Sequence, residues 1–206
     1  VHVLIDYRPA LRQRSGAGEY THQLVRALAR LAIVPPATGA AIDLDLSLFS
    51  SSWKDRLTAI ADVDGVKLVD RRVPVSLLNL MWHRLEWPPV EVLAGHRLDV
   101  THSSHPLLMP SRAAAQLVTI HDLHFLSHPE STSAEIRRDY PTLVRAHAHR
   151  ADRILVPSAY TAGEVERELG VSRQQIAICP HGAPNWTPRA QAPQEGYVLF
   201  VGTLEP

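Results

Sequence analysis

Short apolar, strand-like runs alternate along this chain with segments of helical periodicity, and several runs are cut off at once by a proline: residues 1–7 by Pro9, 153–156 by Pro157 and 175–179 by Pro180. No other feature constrains the fold as much. Strands separated by helices at short intervals pair in parallel, and the helices cover both faces of the sheet. The expected strands are residues 1–7, 41–49, 66–69, 98–102, 116–121, 153–156, 175–179 and 197–203. The expected helices are 18–32, with Tyr20, Leu24, Leu28 and Leu31 on one face, then 53–61, 76–87, 90–95, 132–150 and one that stops at Gly170. Thr132 with Glu135, and Thr161 with Glu164, read as capping boxes, and Pro141 should kink or split its helix.

Length and charge narrow the classes. The 206 residues read as an α/β Rossmann-like domain over 1–183, a proline-rich linker over 184–196, and the first strand of a second domain over 197–206. Lysine and arginine total 21 against 21 acidic residues, which argues against a nucleic-acid binder working by bulk charge. The single cysteine, Cys179, excludes a disulfide framework and a multi-cysteine zinc site, and its apolar strand suggests a buried, inert thiol. No apolar run reaches the roughly 18 residues of a membrane span, and the first residues read as a strand, not a signal peptide. A cytoplasmic protein is the expectation, with room for peripheral membrane association.

Ligands of open parallel sheets bind beyond the carboxyl ends of the strands, so the loops there are the places to search. The first such loop carries Arg8, Arg12 and Arg14, then Gly16, Ala17 and Gly18 opening a helix. Glycines admit close backbone approach and a helix N-terminus offers free amides, which together suit a phosphate or diphosphate. The run lacks the third glycine of a dinucleotide fingerprint and lies too far from its strand for one, which disfavours an NAD enzyme. His121 and Asp122 fall at another strand end, where an imidazole can meet a substrate hydroxyl and a carboxylate can orient a ring or a sugar. His102, Ser103, Ser104 and His105 follow a third strand and could line an acceptor pocket.

Other candidates are weaker. His102, His105, His121, Asp122, His124 and His128 do not have the spacing of a recognised zinc motif, and no metal site is assigned. Ser158 lacks a glycine elbow and reads as a helix cap before a nucleophile. His181 and Gly182 end the last strand before the linker, a hinge or cleft position. Asp43 and Asp45 share one face but sit near the start of their strand, the wrong end for a site.

In order and spacing, these pieces resemble the N-terminal half of a family-four, glycogen-synthase-like retaining glycosyltransferase of the GT-B fold. The resemblance rests on Ile5-Asp6-x-Arg8-Pro9, Ser15-Gly16-Ala17-Gly18-x-Tyr20, His102-Ser103-Ser104-His105, Thr119-Ile120-His121-Asp122-Leu123 and Pro129-Glu130. It continues through residues 151–158 (ADRILVPS) with Thr161, Pro180-His181-Gly182 and residues 197–206 (YVLFVGTLEP). It implies transfer of a sugar from a nucleotide diphosphate sugar, with GDP-mannose or a similar donor favoured, to a saccharide or lipid-linked acceptor. It implies no metal and no further cofactor, and a second, donor-side domain of the same protein as partner, without which this chain is inactive or very weak. By resemblance, Gly16, Ala17 and Gly18 approach the donor diphosphate, His121 contacts the donor sugar with Asp122 beside it, and Arg8, Tyr20 and His105 lie on the acceptor side. Where the family has Asn-Gly, this chain has His181-Gly182. The alternative reading is a non-catalytic carbohydrate or nucleotide-sugar binding module.

Overall fold

The structure, a computed structural model, describes residues 1–11, 14, 16–33, 43–60, 63–132, 134–183, 187, 191 and 196. Among the described residues, seven strands form one parallel sheet: β1 (His2–Asp6), β2 (Asp45–Ser51), β3 (Lys67–Arg71), β4 (Val100–Ser103), β5 (Ala115–Thr119), β6 (Arg153–Val156) and β7 (Ile176–Ile178). Their order is β3-β2-β1-β4-β5-β6-β7, and every pairing is parallel. The helices are α1 (Ala17–Ile33), α2 (Val75–Leu85), α3 (Val90–Ala94), α4 (His124–Ser127), α5 (Ala134–Arg150) and α6 (Ala159–Leu169). This is the doubly wound, Rossmann-like α/β architecture expected from the alternation.

Strand alternation explains how both faces are buried. In β1, Leu4 packs with Phe49, Leu78 and Trp82 on the α2–α3 side, while its neighbour Ile5 packs with Val25, Ala29, Leu46 and Leu48 on the α1 side. Past β4, Val118, Ile154 and Val156 pack with Val144 and Ala148 of α5 and Val165 and Leu169 of α6. At about 25 cal/mol per Å² of apolar surface, each fully buried Leu, Ile or Phe stabilises the fold by about 1.5–3 kcal/mol.

Four local expectations differ from what forms. Residues 53–60 are not helical. There the Ser52 hydroxyl accepts the Lys54 and Asp55 amides in a turn, Arg56 pairs with Asp70, and Leu57, Ile60 and Val63 reach the core from irregular backbone. Thr161 does not cap α6: Ser158 is the N-cap, its Oγ accepting the Thr161 amide at 3.1 Å, and Thr161 lies buried in the first turn. Pro141 does not split α5, which runs through it unbroken. Cys179 is exposed, because β7 is a three-residue edge strand whose burial falls from Ile176 to an exposed Ile178. The Thr132–Glu135 box falls partly outside the described residues, and Thr132 Oγ1 donates to the Pro129 carbonyl. Most of the expected linker and all of the strand at 197–203 also lie outside them. Among the described residues, no helix is long and apolar enough to cross a membrane.

Candidate functional site

Strand order reverses between β1 and β4: from β1 the sheet continues to β2 and β3, from β4 to β5, β6 and β7. The crevice outside the carboxyl ends of two such strands is where doubly wound sheets bind ligands. Asp6 ends β1, and Ser104 and His105 follow β4 directly. Their side chains meet there.

Asp6 is fully buried and is the centre of one cluster. Arg8 Nε donates to both of its oxygens, at 2.9 and 3.1 Å, and Arg8 Nη2 donates to Oδ2 at 2.6 Å. His105 Nε2 lies 3.0 Å from the same Oδ2, while its Nδ1 accepts the Leu107 amide, so Nε2 carries the proton and donates. Burial pushes the Asp6 carboxyl up, but the Arg8 guanidinium and the His105 hydrogen bond outweigh it and hold it well below the usual carboxylate range. Arg8 Nη1 donates to Asn79 Oδ1 at 3.0 Å, and the guanidinium lies 4.8 Å from the Trp82 ring centroid. Arg8 is therefore anchored on three sides, by Asp6, Asn79 and Trp82, and is not a free surface cation. Arg14 is also engaged, its Nη1 3.2 Å from His22 Nε2, while Arg12 and Ser15 lie outside the described residues.

A second cluster joins α1, β5 and the end of β7. The ring of Tyr20 packs edge-on to His121 at 4.8 Å and against His181 at 5.0 Å, and the two imidazoles are 5.3 Å apart. His121 Nε2 donates to the Ser104 carbonyl at 3.2 Å. That bond fixes the tautomer and leaves Nδ1 as an acceptor. Burial, then the nearby His181, lowers the His121 pKa, favouring the neutral ring. Burial raises the Tyr20 pKa, keeping its phenol protonated. Tyr20 Oη and His102 Nε2 lie 3.3 and 2.8 Å from the same Thr119 hydroxyl, and burial holds His102 neutral, with a pKa of about 4.

Gly16 sits at the mouth of this cluster, its carbonyl accepting the Tyr20 amide at 3.0 Å. It adopts a φ of 51°, and a Cβ built there meets nothing within 4 Å, so the backbone before Ala17 and Gly18 is open to a ligand. The first amides of α1 have no intrahelical acceptor. Asp122 is placed differently from His121. It is exposed and its Oδ1 accepts the His124 amide at 2.9 Å, in the turn that leads into α4. Gly182 is exposed beyond β7, and Ser158 is occupied by its capping bonds.

Two clefts of about 450 Å³ each meet at Arg8. One lies between α2 and α5 and includes Asn79, His83, His105 and Tyr140; the other runs past Ser52, Trp53 and Lys54. Sequence reasoning missed Asn79, His83 and Tyr140, which lie on helices far from any strand-end motif. Asp6 carried a signal, an Asp-x-Arg at a strand end, that was legible only as part of a longer pattern. Among the described residues, no group of three or more His, Cys, Asp and Glu could hold a metal ion.

Residues 15–182 match the family model described as "Glycosyl transferase 4-like domain". No curated protein matches the sequence. Among solved structures, sucrose-phosphate synthase (tll1590) from Thermosynechococcus elongatus is similar at a TM-score of 0.61 and 13% identity, over 88% of this chain and 48% of that one. Anabaena Alr3699/HepE in complex with UDP gives 0.48 at 11% identity, over 89% and 44%, and its complex with UDP and glucose gives 0.49 at 11%, over 88% and 45%. The chain spans about half the length of these proteins.

Proposed function

The chain belongs to the family of glycosyl transferase 4-like domains, and from that membership we propose that it is the acceptor-side half of a GT-B glycosyltransferase. The reaction moves a sugar from a nucleotide diphosphate sugar to a hydroxyl of a saccharide or lipid-linked acceptor, with retention. One observation carries the reading. His121, Tyr20 and His181 gather at the carboxyl end of the parallel sheet, beside the open N-terminus of α1.

The roles follow from the chemistry. The amides around Ala17 and Gly18 offer the donor diphosphate hydrogen bonds and the positive end of a helix dipole. His121, with Nε2–H committed to Ser104, presents Nδ1 to a hydroxyl of the donor sugar. Tyr20 holds that ring from the side. In a front-face displacement the bond from the anomeric carbon to the diphosphate oxygen breaks as the bond to the acceptor oxygen forms. The acceptor proton passes to the departing diphosphate. The protein's share is positioning and stabilisation of the departing charge. A second Rossmann-like domain of the same protein completes the donor site, and the transfer needs no metal. GDP-mannose or a related donor is the preferred substrate.

A screen of the full-length protein for hydrolysis of nucleotide sugars, with the anomer followed by NMR, tests this. The expected result is release of the α-anomer from an α-linked donor, unchanged by EDTA. Inverted product refutes retention, EDTA-sensitive turnover refutes metal independence, and inertness toward every nucleotide sugar refutes the reading.

A further inference from the structure

The two clefts at Arg8 share more than that residue. Both are also lined by Val75, so they lie on either side of the start of α2 as parts of one groove. In the cleft between α2 and α5 the charges cancel in pairs. Arg8 is neutralised by the buried Asp6 and Asp139 by Arg138 at 2.7 Å, while Lys54 stands exposed beside Trp53 in the other cleft. His105 is engaged on both ring nitrogens, by the Leu107 amide and by Asp6. Burial, then the nearby Arg8, lowers the His83 pKa, so that ring is neutral near pH 7. A phosphorylated or uronic-acid ligand needs an unpaired arginine or lysine, and the lining of the cleft between α2 and α5 supplies none.

What the groove does present is a set of neutral polar groups between flat apolar surfaces. Asn79, with its oxygen taken by Arg8, keeps its amide NH₂ for a ligand. Tyr140 stands at one end, and at the other stands Trp53, 71% exposed beside Leu11, Pro74 and Val75. A large aromatic left this open on a cleft wall is a stacking surface, and sugar rings pair apolar faces with hydroxyl edges. The groove also reaches the proposed reaction centre. His105 lines it, and the preceding residue, Ser104, accepts the hydrogen bond of His121.

We propose that the two clefts form one groove for an uncharged oligosaccharide acceptor, with Asn79, His83 and Tyr140 binding the unit nearest the reaction centre and Trp53 stacking on a unit farther out. This rests on the transfer reading and specifies its acceptor.

The test is a glycan array of neutral oligosaccharides beside their phosphorylated and uronic-acid counterparts, probed with the full-length protein and with Trp53→Ala and Asn79→Ala, each checked for folding by circular dichroism. Binding to neutral glycans is expected. Trp53→Ala should weaken trisaccharides by about fivefold to tenfold, the loss of one aromatic contact, and leave monosaccharides unaffected. Asn79→Ala should weaken both. Preference for the anionic glycans, absence of binding to every neutral one, or equal affinities in the variants would each overturn the proposal. Nucleotide-sugar hydrolysis by the wild type separates the two readings. Hydrolysis without neutral-glycan binding refutes the groove alone, and glycan binding without hydrolysis refutes the transfer alone.

Discussion

Replacing Asp6 by Asn should destabilise the fold severely, because each carboxylate oxygen accepts more than one donor. Oδ1 accepts Arg8 Nε and the Arg8 amide, at 2.9 and 3.1 Å, while Oδ2 accepts Arg8 Nη2 at 2.6 Å and His105 Nε2 at 3.0 Å. Whichever way an asparagine amide turns, its NH₂ faces donors. Arg8, only 12% exposed, also loses its counter-charge. Breaking a buried pair from one side costs about 3–5 kcal/mol. Arg8 keeps Asn79 and the Trp82 face, which places the loss near the lower end, about 3 kcal/mol, or about 6–12 °C in Tm for a chain of this size. Urea denaturation followed by circular dichroism measures it. The sign with pH is equally definite. The folded carboxyl titrates below its unfolded value of about 3.9, so its contribution is complete above that value and fades as pH falls below it. The gap between wild type and Asp6→Asn should therefore be full at pH 7 and shrink below about pH 4. A second replacement, Arg8→Met, should recover part of the loss by removing the orphaned charge. A single-variant loss under about 1 kcal/mol, the worth of an exposed pair, would refute the account.

Three further expectations follow from the same geometry. His121→Ala in the full-length protein should lower turnover by about tenfold or more, as loss of a group that contacts the reacting sugar does, with an unchanged circular dichroism spectrum; unaltered turnover sinks the assignment. His102 and His147, both held by burial at a pKa of about 4, bind protons in the unfolded chain before they do so in the folded one. Stability should therefore fall as pH drops from about 6.5 toward 4, and His147→Gln should flatten that slope in urea melts; an equal slope refutes it. Ser158→Ala should cost about 1 kcal/mol and Ser158→Gly only a few tenths, read by thermal denaturation, and equal losses would remove the capping role.

The layered fold was legible because each inner strand is a short run holding leucine or β-branched residues and bounded by turn formers, a signal carried by local chemistry. Residues 53–61 misled because Leu57 and Ile60 have helical spacing, yet that spacing comes from a loop folding two side chains into the core around Arg56 and Asp70. Cys179 misled because an apolar strand does not reveal whether it lies at an edge. At the site, His121, Tyr20 and His181 were each visible, but their convergence was not. It depends on β7 lying two strands from β5, which only the sheet order specifies. The anchoring of Arg8 was also hidden, since Asn79 and Trp82 come from a helix about seventy residues away in sequence.

The two clusters are linked by two small hydroxyl residues. Ser104 accepts His121 through its carbonyl, and its hydroxyl lies 2.6 Å from Thr21 of α1 and 3.4 Å from the Asp6 carbonyl, which it can donate to. Thr119 does the same one strand over, between His102 and Tyr20. Through these contacts the helix proposed to offer amides to a diphosphate, the imidazole proposed to meet the sugar and the backbone of Asp6, whose carboxylate anchors Arg8, share one short hydrogen-bonded chain across β1, β4 and β5. Each of these residues is buried or half-buried and bonded to backbone or to a second side chain, so the proposed donor end and the groove end are held at a set separation without any ligand. Such pre-organisation costs nothing further at the moment of reaction.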